Sequence, residues 1–417
     1  MSQTMRRVTA LIMLILTATM LRITPAVSQT FPEQRLGMFV HYMWVGHAYD
    51  GIGTTWSDGS TVENLDELAD NLDVKDFVQV AQSMRAQYLQ ITAWHANMNA
   101  LFPSKVLRQM LPGHCCRRDV IGDLIDALKP TGIHLILYIH PSDGHDFSFA
   151  DQQKVGWNDG PPFARWNDFV NQVCAEVVDR YGKDVAGYWI DGGLPQQVDP
   201  ERLRATIISR NPGAWLIQNS GLNRDCVDYG AYERFDAQFS STVWQMNAVV
   251  TGQWWANQGF LSVSPEFAFK YTVLQAGTKD NTGGVAWAFS PHPGGRWETG
   301  VHEFAQRLGE YVGRTKEALL QTKPSAAFVT SEGIALKSAQ YVATESMDGM
   351  RTYVHILWPP QEQSLTLKPP ANGRLFKSAR LLSNGHAVDL RQDAKGLRLT
   401  LDPKDSWDLL DTVFVLE

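Results

Sequence analysis

The sequence predicts an α/β protein: a (β/α)8-like barrel followed by a C-terminal antiparallel β-sandwich. Three observations carry that expectation. Short apolar runs rich in aromatic and β-branched residues alternate with longer segments of helical periodicity, which means parallel strands joined by helical crossovers. Several of those runs end on a histidine or an aspartate, and a parallel barrel delivers the C-terminal ends of its strands to one rim. From about Lys323 the texture changes to short strands separated by Gly, Pro, Asn and Asp, the pattern of antiparallel sheets. A chain of 417 residues accommodates a barrel of about 250 residues and a smaller second domain.

The N-terminus comes first. Arg6 and Arg7 precede an apolar run from Val8 to Leu21, and Ala26-Val27-Ser28 places small residues where a signal peptidase reads them. Residues 1–28 are therefore expected to be a signal peptide, and the run of about 14 residues is shorter than the ~20 that span a bilayer. An exported protein, periplasmic or extracellular, with no membrane association after cleavage is the expectation. The barrel is assigned to 29–322 and the sandwich to 323–417.

Arg35 to His41 reads as the first strand. Asp73 caps a helix marked by Phe77, Val80, Ala81 and Met84, and Tyr88 to His95 is the second strand. Val120, Ile121, Leu124, Ile125 and Leu128 form a helical stripe stopped by Pro130 and Gly132, before a third strand from His134 to His140. A long helix from Phe163 to Tyr181 closes at Gly182 and leads to the fourth strand, Val185 to Asp191, followed by Gly192 and Gly193. Asp199-Pro200 opens a helix through Leu203 and Ile207, and Ala214 to Asn219 is strand five. Strands six and seven are placed near Phe235 to Ser240 and Phe260 to Ser264. Val285 to Ser290 is the eighth, followed by a helix with Val301, Phe304, Leu308 and Tyr311. In the second domain, Tyr353 to Trp358, Ser364 to Leu367, Leu397 to Leu401 and Val413 to Leu416 are strands.

Composition narrows the partners. The net charge is −7 with no run of five like charges, so nothing attracts a phosphate backbone, and nucleic acid is not expected. Fourteen Trp, twelve Tyr and eighteen Phe supply flat apolar rings with polar edges, surfaces on which sugar faces stack. In an oxidising compartment Cys115, Cys116, Cys174 and Cys226 are available to pair, although adjacent cysteines such as Cys115 and Cys116 seldom bridge each other. Their spacing forms no metal motif. His140 and His145 share a loop without a familiar ligand spacing, and there is no HExxH helix, phosphate loop, dinucleotide fingerprint or Gly-x-Ser-x-Gly elbow. Neither a metal nor a cofactor is expected.

His41, His95, His140 and Asp191 end four consecutive strands and should share one rim. The order Arg35-Leu36-Gly37-Met38-Phe39-Val40-His41, then Ile91-Thr92-Ala93-Trp94-His95 with Leu101-Phe102-Pro103-Ser104, Arg118-Asp119-Val120 and Tyr188-Trp189-Ile190-Asp191-Gly192 resembles the α-L-fucosidases of glycoside hydrolase family 29. Phe289 to Gly295 and Leu308 to Val312 are similar to that family's end of the barrel. The resemblance implies the same barrel-plus-sandwich fold and a retaining glycosidase acting on fucosylated glycans or related oligosaccharides, with Asp191 as nucleophile. The acid/base glutamate it implies is Glu233 or Glu266; Gln245, after Trp244, stands where some members carry glutamate and donates no acidic proton. His41 and His95, with His140, are implied as ligands of sugar hydroxyls. Trp44, Trp56, Trp94 and Trp287 are candidates for the apolar wall. One departure is visible: where the family usually has His-His-Asp-Gly, this chain has His95-Ala96-Asn97-Met98. A non-catalytic carbohydrate-binding protein and a glycosidase for another sugar are the rival readings.

Overall fold

The computed structural model describes residues 33–44, 55–56, 58–192, 196–219, 227–233, 244–251, 254, 260–331 and 333–417. The expected signal peptide and Cys226 lie outside them; Cys115, Cys116 and Cys174 are free thiols. Eight strands close into a barrel: β1 (Leu36–Val40), β2 (Tyr88–Thr92), β3 (His134–Ile139), β4 (Gly187–Ile190), β5 (Trp215–Asn219), β6 (Tyr229–Glu233), β7 (Trp244–Val249) and β8 (Asn281–Phe289). Each pairs in parallel with the next, and β8 returns to β1.

Parallel neighbours need a crossover, and the longer helices supply it. These are α1 (Val74–Ser83), α2 (Val120–Leu128), α3 (Ala164–Tyr181), α4 (Pro200–Ile208), α5 (Pro265–Gly277) and α6 (Val301–Arg314). Asp73, Asp119, Asp199 and Ser264 cap four of them with side-chain oxygens that accept from first-turn amides, and Pro200 and Pro265 sit in the first turn where no N–H is missed. Asp119 does more: it also accepts from Tyr181 Oη at 2.5 Å, while Arg118 donates to the carbonyls of Ala69 and Leu72. The Arg118-Asp119 pair is thus a device for seating a helix, remote from the strand ends.

Alternation along each strand divides the core in two. Phe39, Ile136, Tyr138, Trp189, Ile217, Ala231, Ala286 and Ala288 point into the barrel, whereas Met38, Val40, Leu137, Tyr188, Ile190 and Trp287 pack outward beneath the helices. Strands six and seven are therefore corrected: they run over Tyr229–Glu233 and Trp244–Val249. The segment expected near 235–240 lies outside the described residues, and Phe260 to Ser264 leads into α5. The reason is that β7 carries buried Gln245 and Asn247 on its inner face, so it has no apolar run. Gln245 Nε2 donates to Tyr88 Oη at 2.7 Å instead.

Strands β9 (Thr322–Pro324), β10 (Val342–Ser346), β11 (Thr352–Ile356), β12 (Ser364–Leu367), β13 (Ala379–Leu381), β14 (Asp389–Asp393), β15 (Gly396–Thr400) and β16 (Thr412–Leu416) build two antiparallel sheets, ordered β9-β10-β11-β16-β13 and β12-β15-β14. Val354, Ile356, Phe414 and Leu416 from one meet Leu367, Leu397 and Leu399 from the other. Two buried cations tie this sandwich to the barrel. Arg35 donates from Nε to Thr322 O at 2.8 Å and from Nη2 at 2.5 Å, and Lys270 Nζ donates to Leu357 O and Leu409 O at 2.6 and 2.9 Å, over the Trp358 ring. No helix among the described residues is long and apolar enough to cross a membrane.

Truncating Arg35 would strip the donor from a buried carbonyl where the two parts meet. Arg35→Ala is expected to lower the unfolding free energy by about 3 kcal/mol. A denaturant-unfolding midpoint equal to that of the unaltered chain would contradict that role.

Candidate active site

Five side chains lie two residues beyond an inward-facing core residue, so strand alternation carries them to the same interior at the C-terminal rim: His41 above Phe39, His140 above Tyr138, Asp191 above Trp189, Asn219 above Ile217 and Glu233 above Ala231. His95 is corrected: the second barrel strand ends at Thr92, and His95 belongs to a two-residue strand, Trp94–His95, that pairs antiparallel with Asn99–Ala100 after the chain breaks from the barrel at Ala93. Beneath them Tyr138 stacks on Trp189 at 5.3 Å, with Phe39 5.4 Å from Trp189. A dry aromatic floor therefore underlies a polar rim.

Asp191 is half-buried and well supplied with donors. Its Oδ1 accepts from Gly192 N and from Asn219 Nδ2, both at 2.8 Å, and its Oδ2 accepts from Tyr138 Oη. Burial alone would favour the neutral acid, but charge on His140 and the Tyr138 and Asn219 hydrogen bonds outweigh it, and the carboxyl is held below its ordinary range. Tyr138, pushed well above 10 by burial and then by Asp191, stays a donor. Gly192 has φ +84°, and a Cβ there would lie 2.1 Å from Ser142 Oγ and 2.9 Å from His140 Cε1. Only glycine lets the chain turn away from Asp191 there.

Asn219 joins this carboxylate to a second one. Its Nδ2 also donates to Glu233 Oε1 at 2.5 Å, so the facing oxygens of Asp191 and Glu233 lie no farther apart than the sum of the two bonds, about 5.3 Å. A covalent, retaining glycosidase mechanism requires carboxyl groups about 5 to 5.5 Å apart.

The histidines line the rim next to Asp191: Ile139 pairs with Ile190, so His140 follows on the neighbouring strand. His95 and His140 stack at 4.8 Å and 17°, and both Nδ1 atoms face one oxygen of the fully buried Asp143, at 3.3 and 2.8 Å. Burial disfavours charge on His140, yet Asp143 overcomes it, and the imidazole is pushed up to about 9. Asp143 in turn is held well below the carboxylate range by the two imidazoles, against the burial that opposes its charge. His41, by contrast, is lowered to about 3, by burial first and then by His95. It is neutral at pH 7, with its ring 4.9 Å from Tyr138 and 5.9 Å from His95. Among the described residues, His95, His140 and Asp143 are the set whose ligand atoms could hold a metal, all within 4.8 Å, but hydrogen bonding of two imidazoles to one carboxylate oxygen accounts for that closeness.

The remaining candidates fall elsewhere. Glu266 is in the first turn of α5, paired with Arg307 Nη2 at 2.5 Å and with Tyr311 Oη at 2.7 Å on the outer surface. Trp287 faces α5 and donates to Thr272 Oγ1 at 3.0 Å, so it forms no wall of the pocket. Trp94 is fully buried behind the site, donating to His140 O at 3.0 Å. Trp56 sits against Gly294, and Trp44 begins the loop after His41, its carbonyl accepting from Asn99 Nδ2 at 2.8 Å. The rings that do line the interior are Phe39, Trp189 and Trp254, the last 5.9 Å from His41. Sequence reasoning missed Tyr138, Asp143 and Asn219. Two of these, Tyr138 and Asn219, are on the inward parity of strands already located.

The sequence profile described as Alpha-L-fucosidase matches residues 18–317, which take in all eight barrel strands and α6. The chain belongs to the alpha-L-fucosidase family. This is a family of glycoside hydrolases. A Caenorhabditis elegans protein provisionally named an alpha-L-fucosidase is 21% identical over 293 residues, covering 65% of this chain and 57% of that protein, so the match spans little more than half of that relative's length. The fold is similar to that of the GH29 alpha-L-fucosidase of Bacteroides thetaiotaomicron, solved as a trapped covalent intermediate with 2-fluoro-fucosyl fluoride, at a TM-score of 0.69 and 18% identity over 93% of this chain and 94% of that one. It is also similar to the Thermotoga maritima alpha-fucosidase in complex with fucose, at 0.67 and 16%, covering 93% and 96%. At such identities this family member shares the neighbours' fold.

The Asp143 clamp has a pH signature. Because His140 is raised above its ordinary 6.5, the stability it contributes is complete below about pH 6.5 and is lost as pH rises through about 9. The melting temperature should fall across that window, and Asp143→Asn should flatten the slope. Parallel slopes for the two proteins would show that Asp143 does not hold the charge.

Proposed function

We propose that this chain is an exported, retaining exo-glycosidase that removes terminal α-L-fucosyl residues, or those of a closely related sugar, from glycans. The observation that carries the reading is the pair of carboxyl groups held on one amide nitrogen with facing oxygens within about 5.3 Å. Family membership supports the substrate class, and the fucose and 2-fluoro-fucosyl complexes of the two similar structures support a fucosyl site in this fold.

In this reading Asp191 attacks the anomeric carbon while Glu233 gives its proton to the departing glycosidic oxygen; Glu233 then takes a proton from the water that releases the sugar. Oδ1 of Asp191 already accepts two hydrogen bonds, which occupy its lone pairs, whereas Oδ2 accepts one from Tyr138. Oδ2 is therefore the attacking atom; Tyr138 steadies the carboxylate before attack, and once Oδ2 has become the ester oxygen the carbonyl oxygen Oδ1 stays held by Gly192 N and Asn219 Nδ2. Neutral His41 and charged His140, with His95, face the sugar's hydroxyls from the rim beside Asp191.

Asp191→Ala should lower kcat by more than a thousandfold with the fold retained, and azide should restore part of the rate as a surrogate nucleophile. Glu233→Ala should harm cleavage of a natural oligosaccharide far more than that of a dinitrophenyl fucoside, because a phenolate departs without help. Equal losses on both substrates would take the acid/base role from Glu233. Mass spectrometry after 2-fluoro-fucosyl fluoride should find the label on the peptide bearing Asp191.

A glycosidase for a different sugar is the second reading. It draws on the turn after His95, where Ala96, Asn97 and Met98 all adopt positive φ and Ala96 and Met98 are buried, so the turn brings no second imidazole beside His95. A panel of aryl glycosides separates the two. Export rests on the N-terminal sequence, and the mature chain should begin near Gln29; Edman sequencing of the exported protein that returned Met1 would overturn it.

A further inference from the structure

The geometry points to Asn219 as a positioning residue of the reaction: its side-chain amide is the spacer that sets the distance between nucleophile and proton donor and selects the oxygen of Glu233 that carries the proton. This rests on the roles proposed above for Asp191 and Glu233.

The backbone places Asn219 between them. β5 lies between β4 and β6, Gln218 pairs with Ile190, and Asn219 pairs with Ala231, so Asn219 stands beside Asp191 on one side and one inward step below Glu233 on the other. The side chain is 5% exposed, with little freedom to swing away. A primary amide has two N–H bonds on its nitrogen. Both are engaged, one to Asp191 Oδ1 at 2.8 Å and one to Glu233 Oε1 at 2.5 Å.

Three consequences follow from that count of donors. Two carboxyl groups this close repel when both are ionised, and a shared donor between them offsets the repulsion without adding a charge that would pair with only one. An oxygen that accepts from an N–H is a poor place for a proton, so the acidic hydrogen of Glu233 belongs on Oε2, the oxygen not bonded to Asn219. Finally, the spacer is mounted on a barrel strand and the angle between its two N–H bonds is fixed by covalent geometry, so the close approach of the two carboxyl groups does not depend on the loops beyond the strand ends. Serine carries one donor hydrogen and aspartate none in its ionised form, so neither can bridge both groups.

The titratable groups around Asp191 are His41 from β1, His95, Tyr138, His140 and Asp143 from the β2 and β3 ends, and Glu233 from β6; an Asn219 variant leaves all of them in place. Asn219→Ala is expected to lower kcat about 100-fold on aryl α-L-fucosides with KM within about threefold, and to move the acid limb of kcat/KM upward, since Asp191 loses a donor that favours its ionised form. Asn219→Ser, which keeps one donor, should lose less, and Asn219→Asp, which adds a third carboxylate, should lose more. The second arm needs no turnover: the 13C titration of the Asp191 carboxyl, assigned by its disappearance in Asp191→Asn, should have a higher midpoint in Asn219→Ala and Asn219→Ser than in the unaltered protein. An unchanged midpoint, or an upward-shifted midpoint with kcat unchanged, overturns the spacer role. If the unaltered protein cleaves no fucoside, the proposed function fails while the titration still decides whether Asn219 governs Asp191.

Discussion

The two-residue period of a β-strand, imposed eight times on a closed parallel barrel, is the constraint from which the site follows. A strand that buries Phe39, Tyr138, Trp189, Ile217 or Ala231 in the barrel must present His41, His140, Asp191, Asn219 or Glu233 at the next inward position. The aromatic layer does two things at once. It fills the barrel so that the strands close, each buried ring contributing on the order of 2 to 3 kcal/mol, and it gives the polar layer above it a low-dielectric floor. Hydrogen bonds to Asp191 therefore act more strongly than they would in water, and the same floor makes any unpaired charge expensive.

That second consequence explains why the rim is built as a chain of partners. Asp143 neutralises the charge that His140 carries; His140 and the donors Tyr138 and Asn219 keep Asp191 ionised despite burial; Asn219 spends its second hydrogen on Glu233. His140 acts on Asp191 through its charge; the hydrogen-bonded links each have donor and acceptor within 3.3 Å, and three of the connecting side chains, Tyr138, Asp143 and Asn219, are buried. Among these groups burial sets the need and geometry supplies the remedy, which is why each buried carboxylate sits against a donor.

How much of this was legible in the sequence depended on which signal each element carried. Strands β1 to β5 and β8 announce themselves as apolar runs, and helices such as α1 and α3 by spacing and caps. β7 does not, because Gln245 and Asn247 face inward and break the run, and β6 reads Tyr-Gly-Ala-Tyr-Glu, with a small residue at its inward centre. Helix α5 was invisible for the opposite reason. Ala268 through Gly277 are all buried, since the helix is enclosed by β8 on one side and the sandwich strands β9 and β10 on another, so it has no polar face and no amphipathic period. Asp191 and the strand-end histidines were readable as polar residues closing apolar runs. Asp143 was not, for its purpose appears only once His95, from the short strand after β2, is stacked on His140.

The contrast between His41 and His140 shows what this arrangement offers a ligand. Both imidazoles are buried, both neighbour His95, and both feel Asp191, yet one is lowered to about 3 and the other raised to about 9. The difference is a single carboxylate: Asp143 contacts His140 at 2.8 Å, while His41 is packed among the rings of Phe39, Tyr138 and Trp254. At neutral pH the rim beside Asp191 thus pairs an imidazole that can both donate and accept with an imidazolium that can only donate. Hydroxyl groups, which donate and accept, suit such a rim, whereas a ligand offering only donors would face His140 with nothing to give it. The same imidazolium adds positive potential beside the ionised Asp191 without bonding to it, so the carboxylate keeps its charge and retains a lone pair on Oδ2 for chemistry. A lysine in its place would supply that charge on a flexible stem that could fold onto the carboxylate; an imidazole clamped by a buried aspartate cannot.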